Sequence, residues 1–203
     1  RFGIEHLVTK VNTIGTIKER ANFLKKLREY MNKYKSDLSL ESQRRLEKNP
    51  LRLLDTKNEK EIEILQEAPI LFDYLESETK DYFKKLLLSL DALKIRYEVD
   101  YSLVRGFDYY TSTTFEVLSD SLGAQNAVLG GGRYDLLVEQ LGGKSTPAIG
   151  FACGIERLMM MMEGESGAGF IYPDEEKVKL YIATYGDAAK EKSIGMLQQI
   201  RHK

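Results

Sequence analysis

Glycine is spread unevenly along the 203 residues, and this asymmetry constrains the fold more than any other feature. Positions 1–100 hold only Gly3 and Gly15, whereas positions 106–169 hold twelve of the sixteen glycines. Glycine weakens helices and permits tight turns and close backbone approach. The chain therefore joins a helix-compatible segment to one built from strands, turns and short helices, with the change near residue 100. At 42% apolar and 30% charged residues, both segments have the composition of an ordinary globular protein.

The first segment carries helix signals. Thr16-Ile17-Lys18-Glu19 has the form of a capping box. Ile17, Ala21, Leu24, Leu27, Met31 and Tyr34 follow at three- and four-residue spacing, which predicts one apolar stripe. Ser36, Asp37 and Ser39 end it. Shorter helices are expected over Leu40–Glu47, before Asn49-Pro50, and over Glu59–Glu67, before Pro69. Ser77 is expected to cap a last helix that buries Phe83, Leu86, Leu87, Leu90 and Leu93. Charge splits the segment again. Residues 18–57 hold twelve Lys and Arg against six Asp and Glu, and residues 59–100 hold six against eleven. The basic stretch is either a solvated helix face or a phosphate-binding surface, and charge alone does not decide.

The second segment predicts strands at Tyr97–Val99, Tyr110–Leu118, Ala127–Leu129 and Ala148–Cys153. It also predicts a turn at Gly130–Gly132 and helices over Tyr134–Leu141 and from Gly154 through Met162. Residues 163–169 have linker composition, Lys177–Thr184 predicts a strand, and Asp187 is expected to cap a helix that runs to the end. Strand, glycine and helix in recurrence read as a mixed or α+β sheet. The closing strand–helix unit looks like the opening of another domain, because one such unit cannot bury its own apolar face.

Several chemistries are excluded. Gly143-Lys144-Ser145 lacks the upstream glycine of a phosphate-binding loop, since the position holds Val138. Cys153 is the single cysteine, and the two histidines lie near the ends, so a zinc site or a Ser-His-Asp triad is not expected. No apolar run approaches the roughly 18 residues of a membrane span.

Three stretches carry chemistry. Arg105-Gly106-Phe107-Asp108-Tyr109-Tyr110 sets a permanent cation beside paired phenols. Gly130-Gly131-Gly132-Arg133-Tyr134-Asp135 offers close approach to the backbone. Ile149–Leu158 runs a glycine-bearing strand into a helix whose first turn holds Glu156 and Arg157, and helix N-termini attract anions. Each alone has an ordinary structural reading: a strand end, a turn, a charged helix start.

Together, in this order, they resemble the histidyl-tRNA synthetase family of class II aminoacyl-tRNA ligases. The first stretch looks like the family's histidine-specific Arg-Gly-Leu-Asp-Tyr-Tyr signature, with Phe107 in place of leucine. Gly131–Asp135 looks like its second signature, and Gly150–Leu158 like class II motif 3. Val11–Gly15 and Asn49–Asp55 also match family stretches.

The resemblance implies an α+β fold: part of a class II antiparallel sheet domain with a helical insertion and the start of an α/β anticodon-binding domain. Residues 1–15 and 97–168 would belong to the catalytic core, 16–96 to the insertion, and 169–203 to a linker and the anticodon-binding domain. Class II motifs 1 and 2 are absent, so the polypeptide is expected to be an interior slice, inactive by itself. The resemblance further implies histidine, ATP, Mg²⁺ and tRNA(His) as ligands, and a cytoplasmic homodimer for the complete protein. Arg105 would be the catalytic cation. Tyr109, Tyr110, Tyr134, Gly131 and Gly132 would bind histidine together with Arg105. Arg157, Gly150, Gly154 and Glu116 would bind ATP, with Glu116 reaching Mg²⁺. Lys25, Lys26, Arg28, Arg44 and Arg45 would face tRNA. Two alternatives remain: a catalytically dead paralogue that regulates histidine biosynthesis, and a tRNA-sensing module. Arg105 and Arg157 together weigh against both.

Overall fold

A computed structural model describes residue 4 and residues 6–106, 108–119, 122, 126–166 and 180–201. The chain runs β1 (Leu7–Thr13), α1 (Ile17–Met31), α2 (Leu40–Lys48), α3 (Glu59–Gln66), α4 (Ser77–Ala92), β2 (Tyr97–Val99), β3 (Thr111–Ser119), β4 (Ala127–Tyr134), α5 (Leu137–Gln140), β5 (Ala148–Cys153), α6 (Ile155–Ser166) and α7 (Asp187–Arg201). Short 3₁₀ turns at Asn32–Asp37, Pro50–Asp55 and Leu71–Tyr74 link the first four helices.

The five strands form one sheet in the order β2-β1-β3-β4-β5. β1 pairs parallel with β2, and every other neighbour is antiparallel. A parallel pair requires a crossover, and here α1–α4 supply it. The fold is the mixed, mainly antiparallel sheet with helices that the sequence predicts.

Capping fixes where the helical segment begins. The Thr16 side chain accepts from the Glu19 amide, and Glu19 Oε2 accepts from the Thr16 amide at 2.8 Å. Glu19 Oε1 also accepts from the Glu76 amide at 2.8 Å, which ties the start of α1 to the start of α4. α1 then buries Phe23, Leu27 and Met31, with Arg20 on the same side. The predicted stripe is out of phase: Ile17 is 52% exposed and Ala21 lies in solvent, and Tyr34 falls in the 3₁₀ turn beyond the helix. Phe23 fixes the phase, because the largest apolar side chain gains most from burial.

α4 buries Phe83 alone, while Leu86, Leu87, Leu90 and Leu93 remain half-buried. Ser77 is its first residue rather than its cap, a position held by Glu76. Inside the helical segment, Glu61 is 1% exposed and accepts from the Ser39 amide at 2.8 Å, the Ser42 hydroxyl at 2.7 Å and the Thr56 hydroxyl. Burial raises its pKa, but these hydrogen bonds outweigh it and bring the carboxyl down to about 2.

One hydrophobic cluster links the helices to the sheet loop. It joins Phe23, Leu27, Met31, Leu46, Leu51 and Leu53 to Val104 and Tyr110, with Tyr109 and Tyr134 packed on its margin.

Four further expectations change. Gly130–Gly132 are strand, not turn, because β4 is flanked by β3 and β5 and both partners satisfy its backbone. Tyr134 ends that strand rather than opening a helix, and α5 spans only Leu137–Gln140. Of the strand expected at Lys177–Thr184, residues 177–179 lie outside the described residues, and 180–184 are in no strand. α7 starts at Asp187, after Gly186 at φ +82°, so the glycine rather than Asp187 precedes the helix.

Candidate active site

β4 builds the floor. Side chains of cross-strand partners share a face, so Gly130 lies with Glu116 and Ala152, and Gly132 with Thr114 and Gly150. Three motif side chains rest on this row of small residues. A Cβ on Gly130 would stand 2.5 Å from Arg105 Nη1, and one on Gly132 would stand 2.8 Å from the Tyr110 ring. A Cβ on Gly150 would stand 2.8 Å from the Tyr134 hydroxyl. Glycine is required here because any side chain would occupy the space the arginine and the rings fill. Gly131 falls on the opposite face, with Phe115 and Phe151. Gly154 precedes α6, and a Cβ on it would stand 3.4 Å from Arg157 Cδ.

Arg105 crosses the floor at Gly130. Its Nη1 donates to Glu116 Oε1 at 2.6 Å, and both side chains are 23% exposed. Its Nε is buried with no hydrogen-bond partner among the described residues. A desolvated donor left unpaired costs about 1–3 kcal/mol. An acceptor bound beside Arg105 would remove that cost. A guanidinium gripped on one edge and under-satisfied on another suits an anionic ligand.

The tyrosines form a three-ring group. Tyr109 and Tyr110 centroids are 4.6 Å apart, Tyr109 and Tyr134 5.6 Å, and Tyr110 and Tyr134 6.4 Å. Both contacts with Tyr134 are edge-to-face, a favoured aromatic geometry. The hydrogen bond with the Tyr110 hydroxyl, and then burial, hold the Tyr109 phenol above its usual pKa. The Tyr109 hydroxyl therefore stays protonated near neutral pH and can serve as a donor.

Arg157 stands at the other end of β4, where its Nη1 donates to the Ala127 carbonyl, and the Gly154 amide donates to Val128 O at 2.9 Å. Along β4 the order is thus Arg157 at Ala127, Arg105 at Gly130, Tyr110 at Gly132 and then Tyr134. At about 3.3 Å per residue, roughly 10 Å of strand separate the two arginine positions. The candidate site is spread along β4, with the tyrosines at one end and the Arg105 and Arg157 positions towards the other.

Residues outside the motifs hold the loop that carries Arg105. Asn12, buried in β1, donates to Leu103 O at 2.9 Å and Tyr101 O at 3.3 Å. Lys10 pairs with Asp100 at 2.7 Å, and Asp100 also accepts from the Ser102 amide at 3.0 Å. Burial raises the Asp100 pKa, but Lys10 and Ser102 draw it below the usual range. Sequence reading missed this support; its one signal is a carboxamide between the apolar residues Val11 and Ile14. Phe107 lies outside the described residues.

The basic face of the helical segment is partly neutralised. Lys26 pairs with Glu29 at 2.8 Å, Arg45 pairs with Glu41, and Arg28 Nε donates to Leu46 O at 3.4 Å. Lys25 and Arg44 are exposed.

No group of three or more potential metal ligands occurs among the described residues. Glu116 is engaged by Arg105, and a single occupied carboxylate does not fit a protein-held Mg²⁺ site. Among the described residues no helix is long and apolar enough to cross a membrane.

The chain is similar to known proteins over nearly its whole length. The sequence profile described as histidyl-tRNA synthetase matches residues 7–158. The chain belongs to the histidyl-tRNA synthetase family. It is 42% identical over 199 residues to the histidine–tRNA ligase of Microcystis aeruginosa, covering 98% of this chain and 46% of that protein. It is 43% identical over 200 residues to the chloroplastic histidine–tRNA ligase of Gracilaria tenuistipitata var. liui, with coverage of 98% and 46%. The apo histidyl-tRNA synthetase of S. aureus superimposes with a TM-score of 0.63 at 36% identity, over 99% of this chain and 48% of that one. The chain thus spans about half the length of the histidyl-tRNA synthetase family members it matches.

Proposed function

We propose that the chain is the helical and later-sheet part of a histidine–tRNA ligase. In that reading the histidine carboxylate attacks the α-phosphorus of ATP and pyrophosphate leaves. The 3′-terminal ribose hydroxyl of tRNA(His) then attacks the adenylate carbonyl and AMP leaves. Negative charge gathers on the α-phosphate in the first step, and fixed cations aimed at it are the expected source of rate. Arg105 is that cation. Glu116 holds it extended over Gly130, so that little reorganisation remains when substrate binds.

Tyr109, Tyr110 and Tyr134 close the amino-acid end. Their hydroxyls pair with polar atoms of histidine, and an amino acid without those atoms leaves them unpaired. Arg157, at the far end of β4, takes the outer phosphates, with Gly154 beside it leaving room for the nucleotide. No step is assigned to a metal. Residues 16–96 act as the insertion that meets tRNA, through Lys25, Arg44 and neighbouring cations, and 169–203 open the anticodon-binding part. The complete protein acts as a cytoplasmic homodimer, and this span alone does not aminoacylate.

The observation that carries the proposal is Arg105 fixed by Glu116 across Gly130, beside the three-ring group, in a chain of this family. It also favours a ligase over a regulatory paralogue or a sensor, neither of which needs a fixed α-phosphate cation. The test supplies the remainder of the catalytic domain and measures histidine-dependent pyrophosphate exchange. Arg105→Ala is expected to reduce exchange by at least a hundred-fold with unchanged circular dichroism. Exchange preserved in that variant overturns the assignment.

A further inference from the structure

Asp108 lies in the middle of the Arg105–Tyr110 stretch, yet its partner comes from the helical segment. Asn49 Nδ2 donates to Asp108 Oδ1 at 2.6 Å, across 59 positions of sequence. Asn49 is well placed to aim a side chain. It closes α2 in a non-helical conformation, φ −149° and ψ 82°, and Pro50 follows it. A residue before proline is restricted to extended backbone, and Pro50 is itself buried, so the carboxamide leaves the backbone from a fixed base.

Three further observations place the helical segment against the same loop. The Arg52 Nη2, three residues on, lies 3.9 Å from where a Cβ on Gly106 would stand. Arg20, buried in α1 at 7% exposure, feels Asp108 as an opposite charge that counters the lowering of its pKa by burial. Leu51 and Leu53, within the same 3₁₀ turn, share a hydrophobic cluster with Tyr110, and Tyr109 packs on it. The end of α2 and the turn after it therefore meet the signature loop at Asp108, approach it near Gly106, and share a core with Tyr110.

We infer that the Asn49–Asp108 hydrogen bond is a latch through which the helical segment positions the Arg105–Tyr110 loop, making Asn49 a positioning residue for the amino-acid pocket. The positioning itself stands on the geometry; its effect on histidine rests on the ligase reading above. Asp108 is then not a second catalytic carboxylate. Its charge holds the loop against the helices while Glu116 holds Arg105 from the sheet side. The signature stretch is pinned from both directions, by β1 through Asn12 and by the α2 turn through Asn49.

The two parts are tested separately. In the 203-residue chain, hydrogen exchange of peptides covering 103–112 is compared among wild type, Asn49→Ala, Asn49→Asp and the double variant Asn49→Asp/Asp108→Asn. The single variants are expected to speed exchange in 103–112 by several-fold, with α3 and β4 unchanged. The double variant is expected to restore protection, since an amide at 108 then donates to a carboxylate at 49. Exchange in Asn49→Ala within about two-fold of wild type overturns the latch, and so does a double variant no better protected than the singles.

In the chain completed with the rest of the catalytic domain, Asn49→Ala is expected to raise the KM for histidine about ten-fold and leave the KM for ATP within two-fold. The double variant is expected to return the histidine KM towards wild type. Lost protection with an unchanged histidine KM refutes the positioning role. A completed wild type with no exchange activity refutes the ligase reading instead, and the exchange data alone then decide the latch.

Discussion

Glu61 stabilises the helical segment through hydrogen bonds from neutral groups, and replacing it with glutamine isolates what its charge contributes. The side chain is 1% exposed, so solvent screens it little. Its carboxyl sits at about 2, against an ordinary 4.5. At about 1.4 kcal/mol per pH unit, that depression corresponds to about 3 kcal/mol of stability at neutral pH. Glu61→Gln keeps the shape and removes the charge. The Ser42 and Thr56 hydroxyls can turn to accept from the new amide, but the Ser39 amide can only donate, so one strong bond weakens irreversibly. The expected loss at pH 7 is about 2–3 kcal/mol.

The pH dependence gives the sharper check. A depressed carboxyl stabilises fully above its unfolded value and loses that contribution as pH falls towards its folded value. The gap between wild type and variant should therefore hold from pH 7 to about 5 and shrink to about 1 kcal/mol at pH 3. Titration of Glu19, Asp100 and other groups cancels in the difference. Urea unfolding followed by tyrosine emission measures it, because the chain has twelve tyrosines and no tryptophan. Parallel pH profiles for the two proteins would refute the reasoning.

Gly130→Ala should displace Arg105, and in the completed chain it should cut histidine-dependent exchange at least ten-fold with a small change in thermal midpoint; wild-type exchange would show that the guanidinium does not need that space. Phe23→Ala removes a fully buried ring from the shared core and should cost about 3–5 kcal/mol in denaturant unfolding. Thr16→Ala breaks the capping box and should cost about 1 kcal/mol by the same measurement. Charge reversal at Arg44 and Arg45 should weaken tRNA binding most at low salt, and equal affinity at low salt in a filter-binding assay would remove these two from the RNA-facing surface.

Much of this was legible in the sequence, and the misses have physical causes. The Thr16–Glu19 box and the breaks at Ser39 and Pro50 depend on neighbours a few residues away, so local reading locates them well. The α1 stripe was misphased because both candidate faces contain Leu27 and Met31. Tertiary packing on Phe23 chose between them, and the buried Arg20 and Glu19 are polar, so an apolar count discards them. Gly130–Gly132 read as a turn because local propensity favours one. Two flanking strands override that, and Gly130 and Gly132 then make the floor under Arg105 and Tyr110. The motif residues Arg105, Tyr110 and Tyr134 were named from sequence. That Gly131 faces away from them, and that Asn12 and Asn49 support their loop, depends on register and on contacts across dozens of positions.

The crossover between β1 and β2 also bears on the order in which the chain folds. β1 must find Phe115 and its neighbours with the whole helical segment in between, as the Val11–Phe115 register requires. Closing a loop of that length as unstructured chain carries an entropic penalty before any strand bond forms. Helices of local contact form faster than such non-local pairs. If α1–α4 condense first, the Glu19–Glu76 bond joins the start of α1 to the start of α4, and the loop left to close between β1 and the later strands is shorter. The helical insertion thereby sets the pace of sheet assembly, and refolding should slow most when its core, rather than a strand, is weakened.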